Sequence, residues 1–139
     1  MERRLAGLRS EPRFLKFEEV VALHVIAVFR DGGATELIDR GKLEAAIAAP
    51  KATFGGRLLN STIEEQTAAY WHGICQAHAF LDGNKRLSLL CAYAFLRFNG
   101  LEMTLTDRQA GDLTIRIAKG KLSKADVARQ LARKIRPRD

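Results

Sequence analysis

This chain has few of the residues that staple or anchor small proteins. Two cysteines, three prolines and one tryptophan occur among 139 residues. The two cysteines have no framework spacing, and a disulfide between them is the less favoured reading. Cys75 and Cys91 both fall inside helical patterns and read as small buried thiols of a cytoplasmic protein. No apolar run reaches the length of a membrane span. The basic start, Met1-Glu-Arg-Arg-Leu, is followed by no apolar stretch of the signal-peptide kind. There are three histidines. His72, Cys75 and His78 could suggest zinc, but only the first two have helical ligand spacing and no fourth ligand is evident. Acid is also short, at 16 residues against 23 lysines and arginines, for a net charge of +7. Much of that excess sits at the ends: Arg3, Arg4, Arg9 and Arg13, then Arg129, Arg133, Lys134, Arg136 and Arg138. Such charges suit a solvated surface or an acidic partner better than a nucleic-acid reading head.

The patterning that is present is helical. A chain of this length makes one domain that buries about two thirds of its unfolded surface. Phe17 to Phe29 is largely apolar with Glu18 and Glu19 in its first turn, and Asp31-Gly32-Gly33 ends it. Asp39 can cap a helix from Arg40 to Ala48, which Pro50 stops. Lys51 to Asn60 has no helical period and two adjacent glycines, so a loop or small hairpin is expected. Ser61 and Thr62 offer capping boxes with Glu64 and Glu65 for a long helix, striped by Ile63, Thr67, Tyr70, Ile74 and Ala77. Leu87 to Phe98 is apolar nearly all round and should be buried. Asn99-Gly100 stops it, and Leu101 to Leu105 is short and extended. Thr106 with Gln109, and Ser123 with Asp126, start two further helices. The expected architecture is all-α, a compact single-domain bundle around Leu87–Phe98. Residues 1–16 form a basic extension, 17–135 the domain and 136–139 a basic tail.

One string concentrates the chemistry: His78-Ala-Phe-Leu-Asp-Gly-Asn-Lys-Arg86. A polar cluster at the head of a buried helix needs a reason. Unpaired N–H groups at a helix N-terminus, with the positive end of the dipole behind them, make an anion site. Gly83 lets the backbone come close, Asn84 can cap or hold the turn, and Lys85 and Arg86 add charge. Asp82 can carry a hard cation such as Mg²⁺, or alternatively cap the turn that follows. His78 titrates near neutrality and can take a proton from a hydroxyl. Phe80 reads as a core anchor for the loop. His24 and His72 read as packing or supporting groups, and Tyr70 and Trp71 as core or groove residues.

At these residues the chain resembles the Doc (death-on-curing) branch of the Fic superfamily. That motif runs His, any, Phe, any, Asp or Asn, Ala or Gly, Asn, Lys, Arg. Upstream, Leu43-Glu44-Ala45-Ala46-Ile47, Pro50 and Thr53-Phe54-Gly55-Gly56 resemble the family's LLESAL, Pro and TFGG segments. Downstream, Phe95-Leu96-Arg97-Phe98-Asn99-Gly100 resembles FLRLNG. The resemblance implies the Fic/Doc helical fold and a bacterial toxin that phosphorylates a translation factor, elongation factor Tu, using ATP and Mg²⁺. It implies His78 as base, Asp82 as metal carrier, Gly83 and Asn84 as the phosphate turn, and Lys85 and Arg86 on the transferred charge. Lys51, Ala52, Thr53 and Phe54 resemble the family's flap, where a target segment lies alongside by β-augmentation. A cognate Phd-like antitoxin would place a C-terminal helix in a groove, and operator DNA would be met only through it.

Two positions separate this chain from adenylylating Fic members. Lys85 stands where they carry a second glycine, and Leu89 where they carry a last arginine. Some Doc members have asparagine where this chain has Leu90. A Fic-type adenylyltransferase and a non-enzymatic DNA-binding or corepressor module are the alternatives to phosphorylation.

Overall fold

A computed structural model describes residues 11–30 and 32–139. Arg3, Arg4, Arg9 and Asp31 lie outside the described residues. Six α-helices and two small two-stranded antiparallel sheets occur among those described. In chain order they are α1 (Phe17–Phe29), α2 (Arg40–Ala48), β1 (Thr53–Phe54), β2 (Arg57–Leu58), α3 (Ile63–Ala77), α4 (Asn84–Phe98), β3 (Leu101–Met103), α5 (Asp107–Ala118), α6 (Lys124–Leu131) and β4 (Ile135–Pro137). A 3₁₀ turn, Ala49–Lys51, carries Pro50 on from α2.

The starts of these helices follow from local chemistry. The Asp39 carboxylate accepts from the Lys42 N–H. Thr62 with Glu65, Thr106 with Gln109 and Ser123 with Asp126 each close a reciprocal capping box, which satisfies N–H groups that helices leave orphaned. Glu65, rather than Glu64, does this work at α3, and its carboxylate also reaches the Ser61 N–H. Gly55 and Gly56 turn β1 into β2 at positive φ, as their placement between two short runs requires.

The bundle is all-α, with the α3–α4 pair as its central wall. Leu87, Cys91 and Phe95 of α4 join Tyr70 and Ile74 of α3 in a cluster with Val20 and Ala27 of α1 and Leu43 and Ile47 of α2. On the other side Ala92, Leu96, Ala68, Trp71 and Cys75 pack with Leu113 and Ile117 of α5 and Val127 and Leu131 of α6. A stripe on each face explains why both helices look apolar round most of their circumference. Trp71 and Tyr70 are fully buried. The Trp71 indole N–H donates to Thr114 Oγ1 at 2.9 Å, and the Tyr70 hydroxyl accepts from the Leu15 N–H at 2.8 Å, so neither polar tip is stranded. Cys75 and Cys91 are free, buried thiols.

Both proposed end boundaries need correction. Residues 13–15 are not a loose extension: Leu15 is in the core and Phe14 stacks on Phe95. The Asn99 side chain accepts from the Arg13 N–H and donates to the Arg13 carbonyl. At the other end Arg136 and Pro137 belong to β4, which pairs antiparallel with β3, and the Arg138 N–H donates to Gly100 O. Both misreadings have one cause. The partners lie tens of residues away, and charge alone suggested a tail.

Candidate functional site

The chain leaves α3 through His78, whose backbone is left-handed at φ 48°, ψ 44°. A non-glycine residue there costs about 1–2 kcal/mol, a strain that tends to mark functional positions. The imidazole is exposed.

The next five residues are clamped from below and from one side. Phe80 is buried and stacks on His24, with ring centroids 3.5 Å apart. His24 Nε2 donates to the Asp82 carbonyl at 2.7 Å, so the proton sits on Nε2. The Asn84 amide closes on the backbone of Phe80, accepting from its N–H at 3.1 Å and donating to its carbonyl at 2.8 Å. Gly83 takes φ 80°, and a Cβ there would stand 2.6 Å from Val28 Cγ1, so both conformation and space require glycine. From the side, the Ile38 and Asp39 N–H groups donate to Ala79 O, and Leu81 N–H donates to Glu36 O. The Ala34 N–H donates to Asp82 Oδ2 at 3.0 Å. Asp82 therefore braces the loop instead of capping the turn that follows.

Helix α4 then begins at Asn84 with no side-chain cap and no acid in its first turn. Lys85 and Arg86 are exposed at that end. It faces an open cleft of about 670 Å³ into which His78, Asp82, Gly83, Asn84, Lys85 and Arg86 all contribute. This volume suits a cofactor-sized ligand. The motif residues therefore come together, with Phe80 beneath them as anchor. Leu89 of α4 lines the same cleft, and the wall beyond it was not foreseen: Gly111, Thr114, Ile115 and Ala118 of α5. No spacing in the sequence announces it, because α5 packs here only through the second core cluster.

Lys51, Ala52, Thr53 and Phe54 do not line this cleft. Lys51 ends the 3₁₀ turn, Ala52 follows it, and Thr53 and Phe54 are the first strand of the β1–β2 hairpin, with Phe54 79% exposed. Leu90 points to the first core cluster and a separate groove. His72 is half-buried, and burial holds its pKa below the usual imidazole value, against a bond with the Leu122 backbone. Burial likewise pushes the Cys75 thiol up, opposed by Ser88 and Lys85, so it is a protonated wall residue at neutral pH. The 34–39 strip that braces the loop was also missed; its ladder is too short to show period-two alternation.

A metal would find one carboxylate here. No group of three or more His, Cys, Asp or Glu side chains able to hold an ion occurs among the described residues. Asp82, at the lip of a cation-lined cleft, fits an ion that binds through one carboxylate together with phosphate oxygens, as Mg²⁺ does.

A family model described as the Fic/DOC family matches residues 14–96. The chain belongs to the Fic/Doc family, on its Doc branch. It is 34% identical over 121 residues to the protein kinase Doc of Escherichia phage P1, spanning 87% of this chain and 94% of the phage protein. It is 33% identical over 122 residues to the toxin Doc of Mycolicibacterium smegmatis, spanning 86% and 91%. In Fic/Doc terms, the position that carries the last arginine of adenylylating members is here Leu89, an apolar part of the cleft wall. No helix among the described residues is long and apolar enough to cross a membrane.

Proposed function

We propose that this protein is the toxin of a toxin–antitoxin pair, a Doc-type kinase that moves the terminal phosphoryl group of ATP onto a hydroxyl of elongation factor Tu. One observation carries the reading. An uncapped, cation-flanked helix N-terminus and a strained, exposed histidine meet at the same cleft.

The division of labour follows from position. The hydroxyl proton passes to a ring nitrogen of His78 as the new oxygen–phosphorus bond forms, and the bridge to ADP breaks with its electrons on the leaving oxygen. Gly83 and Asn84 present the turn to phosphate oxygens, and Lys85 and Arg86 offset the charge that spreads over the transferred and leaving groups. Asp82 would hold Mg²⁺, which when bound neutralises phosphate charge. The clamped loop means that little reorganisation is required when substrate arrives. Against adenylylation stand the Lys85 side chain, where an α-phosphate would need bare backbone, and Leu89 in place of a phosphate-binding arginine. Direct DNA binding is disfavoured because Arg13, Arg129 and Arg136 of the terminal charge are each paired with an acid. Lys51–Phe54 leads into the β1–β2 hairpin, and among the described residues β1 pairs only with β2, which leaves its other edge for a target segment. A Phd-like antitoxin, its C-terminal helix in a groove on this surface, would block the activity, and operator DNA would be reached through that complex.

The test is intact-mass measurement of elongation factor Tu after incubation with ATP and Mg²⁺. A gain of one phosphate is expected, and His78→Ala should lower the rate by about a hundredfold or more without lowering the melting temperature. The parent should arrest growth when expressed, and its antitoxin should relieve the arrest. An AMP adduct without phosphate, or full activity in folded His78→Ala, would overturn the assignment.

A further inference from the structure

A helix that is apolar all round belongs inside a protein. Helix α1 is apolar all round from Val20 onward, yet one side of it lies at the surface. Its one polar residue there is His24, which faces inward and is buried with Val20, Ala27 and Val28. The outer side carries Ala22, Val25, Ile26 and Phe29, spaced by three and four residues into one stripe. Ala22 is exposed, Val25 is 49% exposed, Ile26 61% and Phe29 81%. None of the four lines the motif cleft or the groove between Lys16 and Arg40. The stripe stands out as a ridge, and a contiguous apolar patch of this kind marks a contact with another molecule.

The charges at its two ends say which molecule. Glu18 lies one turn before Ala22 on the same side, and Arg30 follows Phe29. Both are exposed, and neither enters an ion pair among the described residues. Glu18, Ala22, Ile26 and Arg30 form a ridge at intervals of four residues. Reversed and laid on itself, that ridge sets Glu18 against Arg30 and small Ala22 against Ile26. We infer that α1 packs antiparallel on the α1 of a second copy, across a two-fold axis between Ala22 and Ile26. Such a contact uses the same patch on both copies and closes at two. Two patches of this class bury at most about 1,200 Å² together. That is the small end for a specific interface, so the pair forms reversibly, with a dissociation constant on the order of 10 μM. The motif cleft draws no residue from α1, so pairing uses none of its lining. A foreign helix would be met better by a groove than by a ridge, and it has no need of this charge order.

Sedimentation equilibrium of the intact chain over a range from about 1 to 500 μM tests this. The mass should climb from the 15.5 kDa of one chain toward twice that and stop. Ile26→Glu and Phe29→Ser, both at exposed positions, should melt as the parent does. Each should weaken self-association by about tenfold or more. Leu59→Glu, at an apolar position 62% exposed outside α1, should associate as the parent does. Glu18→Arg and Arg30→Glu should each weaken the pair by a few-fold, and the double reversal should restore it. A parent that stays monomeric throughout would overturn the pair and leave the stripe to a foreign helix. Undiminished association in folded Ile26→Glu and Phe29→Ser would move the contact off α1 and also overturn it. Growth past two copies would overturn the two-fold closure. A double reversal weaker than either single one would overturn the antiparallel arrangement.

Discussion

Helices α3 and α4 are equally long and pack against one another, yet they begin in opposite ways. At α3, Thr62 and Glu65 close a reciprocal box, Glu64 adds a second acid, and the carboxylate also takes the Ser61 N–H. At α4, Gly83 contributes no cap, no acid enters the first turn, and Lys85 and Arg86 stand there instead. Cations at a helix N-terminus oppose its dipole and lower stability. One end is built for the fold, and the other, on the proposed reading, is completed by the phosphates of a bound nucleotide. The asymmetry can be broken from either side.

The largest effect should come from making α4 start as α3 does. Lys85→Glu places an acid where the dipole favours one, worth about 0.3–1 kcal/mol of stability, while repelling phosphate. ATP binding measured by calorimetry should fall about a hundredfold or more, with a melting temperature equal to the parent's or higher. Parent-like ATP affinity in this variant would remove the phosphate site from α4.

Next in size is the loss of what holds the open end in shape. Asn84→Ala strips both backbone groups of Phe80 of their partner. Urea unfolding should show a loss of about 1–3 kcal/mol, and phosphoryl transfer should fall alongside it. A stability change under half a kilocalorie would mean the loop is held by His24 and the 34–39 strip alone.

The smallest effects belong to the closed end. Thr62→Ala should cost about 1 kcal/mol and leave phosphoryl transfer as it was. Glu65 is held below its ordinary value of 4.5, first by the Ser61 backbone N–H, against a smaller upward push from burial. A depressed carboxylate pKa stabilises the fold fully above the unfolded value and loses that contribution as pH falls through the folded one. The stability gap between the parent and Glu65→Gln should therefore be constant above about pH 4.5 and close below it. A gap that widened on acidification would reverse the sign and discard the capping role.

What the sequence disclosed divides along the same line. Asp39, Thr62, Thr106 and Ser123 were legible as helix starts because their partners are three residues away. The motif was legible because its chemistry is contiguous, and Gly55-Gly56 announced the hairpin. The Asn99–Arg13 clamp, strand β4, the 34–39 brace and the α5 wall were hidden, since each depends on a partner far along the chain. His24 was read as a supporting group without a target. Only the fold reveals that it supports the Asp82 carbonyl. Charge also hid packing at both termini: among the described residues Arg13 sits beside the buried Leu15, and Arg136 lies in β4.

The brace around the His78–Arg86 turn has a consequence for folding order. The nine residues from His78 to Arg86 are adjacent in the chain, but the bonds from His24 and Ala34 that fix Asp82 span 58 and 48 residues. Long loops of this kind close late, because their entropy must be overcome before the contact rewards it. The turn is local in sequence and remote in energetics. On that argument the His78–Arg86 turn takes its final shape only once α1 and the 34–39 strip have docked against it.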